Sequence, residues 1–363
     1  MNLIKSIGLS LIIIISSILL GVFVIEILLR TFSSQHSLSK TEVANILRNF
    51  NFEYKIDGLY ESESNFITYS RNEFGLRDNC NSPEEIDILT VGGSTTDQRY
   101  VKLESTFQSV LEKKIIDHIK KDICISNAGV DGHTTFGHIY SFKNWFPLIP
   151  NLKPKYVILY IGINDADFRL NGKNKGYDIN NNYTIKGFAK NFYIIQKLMP
   201  LIRYLRDKMM NQNLKYANHS KVIYTHNDYI SKKINSETKK LTVINSKLFE
   251  KKLNIILNEI ELMNSQHICV TQPHKFVYNF SNNKKGIPSV FGENFSGLDF
   301  DYSLNALNEV MKNLCGKYFI EIKNEELQLS HFYDGVHTNE KGSELLGKII
   351  FEKMKKIELL DSM

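Results

Sequence analysis

The feature that most constrains the fold is a series of short apolar runs that alternate with helical patterns. The clearest run is YVILYIG at residues 156–162, whose continuous hydrophobicity is typical of a strand covered on both faces. Four more strands are predicted, at residues 86–91, 123–127, 268–273 and 318–322. Helices are predicted near residues 106–119, 138–146, 241–263, 303–314 and 340–356. Strands that alternate with helices predict an α/β fold built on a parallel sheet.

Composition places the chain among globular proteins. Its 363 residues are 42% hydrophobic and 23% charged. The net charge of +6 is spread along the chain and gives no sign of a nucleic-acid partner. Residues 31–84 are polar and irregular, and we interpret them as a stalk plus a lead-in that packs on the main domain, residues 85–363. Within that domain, long inserts are expected at about residues 166–238 and 275–302.

The first thirty residues differ from the rest. Residues 6–25 carry no charge and are almost uniformly apolar, which is long enough for a helix that crosses a bilayer. No small-residue cleavage pattern closes the run, so an uncleaved signal anchor over residues 1–30 is predicted rather than a removed signal peptide. The flanking charges do not favour placing the C-terminal side outside the cytoplasm, but long domains cross membranes largely regardless of such charges. We therefore expect a single-pass protein that contacts the lipid bilayer and carries its main domain outside the cytoplasm.

The cysteines favour neither a zinc site nor a particular disulfide. The 4 cysteines are Cys80, Cys124, Cys269 and Cys315, and no two of them form a C-x-x-C pair, so no zinc site is expected. Cys124 and Cys269 lie in apolar runs and are predicted to be buried thiols. A disulfide is compatible with the sequence, which does not assign its partners.

Polar loops follow four of the five predicted strands. The first strand leads into GGSTTD, the second into NAGVDG, the third into GINDAD and the fifth into FYDGVHTNEKG. The carboxyl ends of parallel strands meet at one edge of a sheet, where binding sites form. These loops are therefore expected to bring together the candidate functional residues, which are Ser94, Gly129, Asn164, Asp334 and His337.

Ser94 is a candidate nucleophile that needs a base to take its proton. Its surroundings match neither a P-loop nor the G-x-S-x-G elbow, since Thr96 stands where the elbow has glycine. His337 is the candidate base, and Asp334 in the same loop can hold its far ring nitrogen. Three alternatives remain: Ser94 is a simple helix cap, the loop is an exposed Asp-Gly turn with an incidental histidine, or His331 joins Asp334 and His337 in a metal site.

Asn164 is a candidate for stabilising negative charge. Its side-chain amide and the backbone N–H groups of Ser94 and Gly129 would supply three donors to an oxyanion, which acyl transfer requires. The alternative is that Asn164 is an ordinary turn residue after a strand.

Taken together, the four loops resemble the conserved blocks of the SGNH hydrolase superfamily, also called GDSL-type esterases. GGSTT matches the first block, NAGVDG the second, GIND the third and DGVH the last, and NEFGLRD resembles the lead-in of membrane-anchored members. The resemblance covers about residue 72 to the C-terminus. It departs from the pattern at Gly93, which stands where Gly-Asp-Ser has aspartate, and this makes ordinary lipase activity a poorer guess.

The resemblance implies a three-layer α/β/α domain with a flavodoxin-like five-stranded sheet and no metal or cofactor. It implies Ser94, Asp334 and His337 as catalytic residues, with Ser94, Gly129 and Asn164 forming the oxyanion hole. The expected reaction is removal of short acyl groups, acetyl first, from a carbohydrate, a cell-envelope glycan or a small ester, with the inserts shaping the pocket. An O-acyltransferase acting on a surface glycan and a non-catalytic glycan-binding or scaffold protein remain alternatives.

Overall fold

The structure is a computed structural model that describes residues 13–18, 20–28, 38, 44–167, 214–216, 219–280, 283–290 and 295–360. The chain forms two compact units. The larger unit consists of residues 44–179 and 213–363 and contains almost all of the described residues. Residues 44–84 of the predicted stalk and lead-in therefore pack in the same unit as the main domain.

The smaller unit comprises residues 1–43 and 180–212, and its described part is mainly helix at residues 13–18 and 20–28. Large apolar side chains in this helix are exposed, for example Ile18 at 60% and Leu20 at 64%. Among the described residues, no helix is long and apolar enough to cross a membrane. Residues 1–12, 19 and 29–30 of the predicted anchor lie outside the described residues, so the anchor stays a prediction.

Ten strands and six α-helices make up the described part of the larger unit. The strands are β1 (Phe50–Lys55), β2 (Phe66–Arg71), β3 (Ile86–Gly92), β4 (Cys124–Asn127), β5 (Tyr156–Tyr160), β6 (Leu214–Tyr216), β7 (Gln266–Val270), β8 (Val277–Phe280), β9 (Asn283–Gly286) and β10 (Phe319–Ile320). The helices are α1 (Ser94–Asp97), α2 (Phe107–Ile119), α3 (Thr135–Tyr140), α4 (Ser236–Leu262), α5 (Gly297–Cys315) and α6 (Glu340–Lys356).

The central sheet has the predicted architecture. Its five strands lie in the order β10-β7-β5-β3-β4, and every pairing between them is parallel. In chain order this is the flavodoxin-like arrangement, in which the second strand lies at one edge and the chain crosses over after it. The carboxyl ends of all five strands therefore open on the same edge of the sheet, and the α/β/α prediction is confirmed.

Helices cover both faces of this sheet, which explains why β5 is buried at every position. One face packs on α2 and α6 through a shared core that includes Phe107, Leu111, Ile350 and Met354. On the other side α4 and α5 pack against each other and contact β7. The hydrophobic effect of burying these faces is what holds the layers together.

Capping residues account for the largest differences from the predicted helix bounds. Helix α4 begins at Ser236 because the Asn235 side chain accepts a hydrogen bond from the Glu237 N–H at 2.9 Å. Helix α5 begins at Gly297, where Ser296 and Asp299 form a capping box. The helix predicted at residues 138–146 is α3 followed by a π-helical turn, Ser141–Trp145.

The prediction that Cys124 and Cys269 are buried thiols is wrong, whereas a disulfide was compatible with the sequence. Cys124 and Cys269 are not thiols but form disulfides, Cys80–Cys124 and Cys269–Cys315. The first disulfide ties the lead-in to β4, and the second ties β7 to the end of α5. Both join segments that are distant in sequence, which is why the sequence did not reveal the pairing.

The lead-in is a structural part of the domain. Strands β1 and β2 form an antiparallel hairpin, and β6 pairs in parallel with β1. Just after the hairpin, the buried Arg77 guanidinium donates hydrogen bonds to the carbonyl oxygens of Asp97, Gln98 and Val101 at 2.6–2.9 Å. The lead-in therefore holds the chain that follows β3 and its short helix.

We expect Arg77→Leu to lower the free energy of unfolding by roughly 3 kcal/mol or more, because three carbonyl oxygens would lose their donor and each buried acceptor left without a donor costs about 1–3 kcal/mol. Urea unfolding followed by circular dichroism measures the change. The matched control is Arg48→Leu, since Arg48 lies in the same segment but its guanidinium makes a single 3.3 Å hydrogen bond within the described residues, to the Glu73 carbonyl oxygen. Equal losses in the two variants would contradict the role assigned to Arg77.

Candidate active site

Two glycines allow the chain to turn sharply at the end of β3. A Cβ atom on Gly92 would overlap Thr96 Oγ1 and the Tyr160 carbonyl oxygen, so only glycine lets α1 fold back against β5. A Cβ atom on Gly93 would lie 2.7 Å from Asn164 Nδ2. A side chain at position 93 would therefore require the Asn164 amide to move.

Ser94, His337 and Asp334 form one continuous hydrogen-bonded chain. Ser94 Oγ lies 2.7 Å from His337 Nε2, and His337 Nδ1 lies 2.7 Å from Asp334 Oδ2. The three side chains are partly buried, so they remain reachable from solvent. The structure therefore brings together the serine, histidine and aspartate that the sequence singled out, in the arrangement of a nucleophile, a base and an orienting carboxylate.

The loop that carries His337 is rigid. Asp334 Oδ1 accepts hydrogen bonds from the Val336 and His337 N–H groups at 2.8 and 2.7 Å. The Tyr333 N–H donates to the His337 carbonyl oxygen at 3.1 Å, and the Asn339 side chain caps α6 immediately afterwards. Burial raises the pKa of Asp334, but His337 and these hydrogen bonds outweigh it and hold the pKa below its usual value. Asp334 is therefore charged at neutral pH.

Gln98 connects the serine turn to the histidine loop. Gln98 ends α1 with a left-handed backbone, and its Nε2 lies 3.1 Å from Thr338 Oγ1 and 2.6 Å from Ser343 Oγ. Its Oε1 accepts a hydrogen bond from the Phe107 N–H at 2.9 Å. This buried amide fixes the separation between the two loops whose side chains meet at Ser94 and His337.

A buried charge network lies beneath the serine turn. Asp97 Oδ1 accepts hydrogen bonds from Arg71 Nη2 at 2.6 Å and from Tyr69 Oη at 2.7 Å, and Arg99 Nη2 lies 3.3 Å from Oδ2. Burial raises the pKa of Asp97, but Arg71, Arg99 and the Tyr69 bond lower it further than burial raises it. The carboxylate therefore stays charged and holds the end of α1 in place.

The predicted oxyanion hole is only partly supported by the geometry. Asn164 Nδ2 reaches the site beside Gly93, where one of its hydrogens goes to the His133 carbonyl oxygen at 2.8 Å. The Gly129 N–H, however, donates to Asn127 Oδ1 at 2.8 Å, and the Gly129 Cα packs against the backbone of Thr96 and Asp97. This glycine is needed for close packing under α1, so the donor role predicted for it is wrong.

Gly132 is a better candidate for the second backbone donor. It is exposed, has a φ of +76°, and precedes His133, whose carbonyl oxygen holds the Asn164 amide. Within the described part of the chain, the N–H groups of Gly132 and Ser94 have no hydrogen-bond acceptor. The signal was present in NAGVDG, which contains two glycines, but sequence alone did not show which of them leaves its N–H group open.

His219 is a site residue that sequence analysis missed. Its ring centroid lies 4.4 Å from that of His337, and its Nδ1 lies 2.9 Å from Tyr333 Oη. The Tyr333 ring is parallel to the His337 ring at 5.6 Å. His219 belongs to the first insert and has no motif around it, so nothing in its sequence context indicated this position.

The alternative metal site is not formed by the predicted residues. His331 Nδ1 accepts a hydrogen bond from the Gln328 N–H at 3.0 Å. His219 takes the place expected for His331, because one ligand atom from each of His219, Asp334 and His337 lies within 4.8 Å of the others. An ion held by these three would have to replace the hydrogen bonds of His337, so the arrangement as it stands suits proton transfer better.

Comparisons with known proteins find only distant likenesses. No protein-family model and no curated protein matches the sequence. Among solved structures, the chain is similar to the acetyl xylan esterase AlAXEase, with 12% identity over 74% of this chain and 98% of that one and a TM-score of 0.40. It is also similar to the lipase Lip_vut3 from goat rumen metagenome, with 12% identity, coverages of 74% and 97% and a TM-score of 0.43.

A third similar structure is a catalytic mutant of the acetylxylan esterase Axe2 from Geobacillus stearothermophilus. It shares 14% identity with this chain, the match covers 77% of this chain and 95% of that one, and the TM-score is 0.40. Likenesses this distant do not carry the functional interpretation, which rests on the geometry of the site.

Proposed function

We propose that this chain is a serine esterase that removes short acyl groups, acetyl first, from a carbohydrate. The observation that carries the proposal is the hydrogen-bonded chain Ser94 Oγ–His337 Nε2 and His337 Nδ1–Asp334 Oδ2, with both distances 2.7 Å. It agrees with the resemblance of the four loops to SGNH hydrolases. An intact arrangement of this kind favours catalysis over a non-catalytic scaffold.

In the first half of the reaction, Ser94 Oγ attacks the ester carbonyl carbon while His337 Nε2 takes the serine proton. The carbonyl π electrons move to oxygen and form a tetrahedral oxyanion. Its collapse breaks the bond to the sugar oxygen, which takes the proton back from His337 Nε2 and leaves as a hydroxyl. Asp334 stabilises the imidazolium that exists between these proton transfers and keeps its ring in the right orientation.

In the second half, a water molecule gives a proton to His337 and attacks the acyl-enzyme. Collapse of the second tetrahedral intermediate releases the carboxylic acid and returns the proton to Ser94. If a sugar hydroxyl replaces water, the same steps transfer the acyl group, so the triad serves the O-acyltransferase alternative equally well. The two reactions differ only in which oxygen reaches the acyl-enzyme.

Three donors are proposed to stabilise the oxyanion: the N–H groups of Ser94 and Gly132 and the amide of Asn164. The position of Asn164 Nδ2 beside Gly93 and the open N–H groups of the two backbone donors support this assignment. Preorganised donors act strongly because they need no rearrangement as charge develops.

We also propose that the larger unit lies outside the cytoplasm and that residues 1–30 anchor it to a membrane. The disulfides Cys80–Cys124 and Cys269–Cys315 support the compartment, because disulfides persist in oxidising surroundings. The test is cell fractionation combined with a membrane-impermeant label on intact cells. We expect a labelled chain in the membrane fraction, and an unlabelled chain in the cytosolic fraction would contradict the proposal.

The substrate class is tested with 4-nitrophenyl esters from acetyl to palmitoyl and with acetate release from partly O-acetylated polysaccharides. We expect kcat/KM to be highest for the shortest acyl groups and acetate to be released from at least one glycan. A rise in kcat/KM toward the long chains without acetate release would indicate a lipase or thioesterase. Acetyl transfer to added sugar in place of acetate release would favour the O-acyltransferase.

Two variants test the assigned roles in the same assay. Ser94→Ala is expected to lower kcat by several powers of ten, because no other group replaces the nucleophile. Asn164→Ala is expected to lower kcat roughly a hundred to a thousand times with little change in KM, as for loss of one oxyanion donor. The control is Asn144→Ala, an exposed asparagine that bonds only within its own helical segment. Unchanged hydrolysis by folded Ser94→Ala would exclude the nucleophile assignment.

A further inference from the structure

A polar cleft of about 490 Å³ lies between strand β8 and the loop that precedes the catalytic aspartate. Its walls include two rings, those of His226 and Tyr278, whose centroids are 4.7 Å apart. Amide and hydroxyl groups complete the lining, from Asn279, Asn324, Gln328 and Ser330. None of these residues belongs to the triad or to the proposed oxyanion hole.

The cleft carries little net charge. Lys275 forms part of it, but its Nζ donates to the carbonyl oxygens of Asn324, at 2.8 Å, and Leu327. Burial lowers the pKa of Lys275 to about 8. Glu325 is the one acidic group that the described part of the chain contributes to the lining, and its carboxylate accepts a hydrogen bond from the Asn279 amide. A strongly charged ligand would find no matching set of charges here.

The composition of the lining fits a neutral sugar. Aromatic rings pack against the apolar face of a sugar ring, while amides and hydroxyls form hydrogen bonds with its hydroxyl groups. Among the described residues, three aliphatic side chains line the cleft, Val277, Leu327 and Leu329, so a long acyl chain has little surface to bury.

The cleft is physically linked to the triad. The segment from His219 to His226 runs from the His337 ring to the cleft, and its Val222 N–H donates to the Tyr333 carbonyl oxygen at 2.8 Å. Because His219 and His226 are seven residues apart, the backbone between them spans at most about 25 Å, and the cleft lies within that reach of the triad. On the other side, the Lys275 N–H donates to the Gly335 carbonyl oxygen at 2.7 Å, within the loop that holds Asp334 and His337.

We infer that this cleft is a carbohydrate-binding subsite that holds a neutral sugar of the same glycan whose acyl ester is cleaved at Ser94. The inference rests on the proposed function, since it assigns the cleft to the substrate of that reaction. It implies that an oligosaccharide, not a single acylated sugar, is the preferred substrate.

The test measures binding and catalysis separately. Three full-length variants are compared: Ser94→Ala alone, Ser94→Ala with Tyr278→Ala, and Ser94→Ala with His226→Ala. Each is applied to an array of neutral plant and bacterial oligosaccharides, both plain and O-acetylated. Tyr302→Ala is the matched control, because Tyr302 is an exposed tyrosine of α5 outside the cleft. His226 is also exposed, so His226→Ala is expected to fold even if Tyr278→Ala fails to fold.

We expect the Ser94→Ala chain to bind at least one oligosaccharide. The two cleft variants should bind the same oligosaccharide about tenfold more weakly, or not at all. With Ser94 present, the cleft variants should raise KM for the acetylated oligosaccharide by a similar factor and leave kcat/KM for 4-nitrophenyl acetate unchanged. Binding of no oligosaccharide, or equal binding by all variants, would overturn the inference. If the cleft variants lose oligosaccharide binding but the natural chain shows no esterase activity, the proposed reaction is refuted. The cleft then remains a sugar-binding site.

A separate observation points to a role for His219. We infer that His219 is a positioning residue that holds the His337 ring in line with Ser94. Its ring lies 4.4 Å from His337, Tyr333 holds its Nδ1 at 2.9 Å, and the Tyr100 ring packs on it at 5.0 Å. Burial and the adjacent His337 lower the pKa of His219 to about 4, so a neutral ring lies beside the imidazolium that forms during the reaction.

Replacing His219 separates this role from simple packing. His219→Ala is expected to lower kcat for 4-nitrophenyl acetate about tenfold or more with KM nearly unchanged, since small misplacements of a catalytic group are costly. His219→Phe keeps a flat ring against His337 and should restore most of kcat. Equal kcat in all three proteins, or a change confined to KM, would overturn the positioning role.

Discussion

The buried ion pair between Asp97 and Arg71 is the interaction on which the rest of the site depends. Its carboxylate and guanidinium are 2.6 Å apart and almost fully buried. Removing two charges from water costs several kcal/mol per ion, and only complete hydrogen bonding offsets this cost. Tyr69 and Arg99 supply the remaining partners of Asp97, while Arg71 also donates to the carbonyl oxygens of Gly75 and Gly129. The charge network thus joins the lead-in, the serine turn and the loop after β4.

This network explains how a one-turn helix can hold Ser94 against His337. Four residues make too short a helix to be stable alone, since helix formation needs several turns to offset its nucleation cost. Asp97 fastens one end of α1, Arg77 holds the carbonyl oxygens that follow, and Gln98 links the turn to Thr338 and Ser343. Ser94 and His337 come from opposite ends of the chain, yet they meet at 2.7 Å because of this shared support.

The residues proposed to carry out the chemistry and those proposed to choose the substrate come from different parts of the fold. Ser94, Asn164 and His337 follow strands of the central sheet, which the parallel topology brings to one edge. The first insert brings His219 to the triad and His226 to the proposed sugar cleft. The same sheet edge can therefore serve different substrates by changing its inserted segments, because loops carry specificity on a rigid scaffold.

The sequence by itself determined the five-stranded α/β fold and the residues Ser94, Asp334 and His337, since strand periodicity and loop motifs are local signals. Only the tertiary structure decided which glycine of NAGVDG is packed and which is open, because that depends on Asn127 accepting the Gly129 N–H. It also decided the two disulfides and the placement of His219 beside His337. Each of these depends on contacts between segments far apart in the chain, and a local pattern carries no information about which distant segment will pack against it.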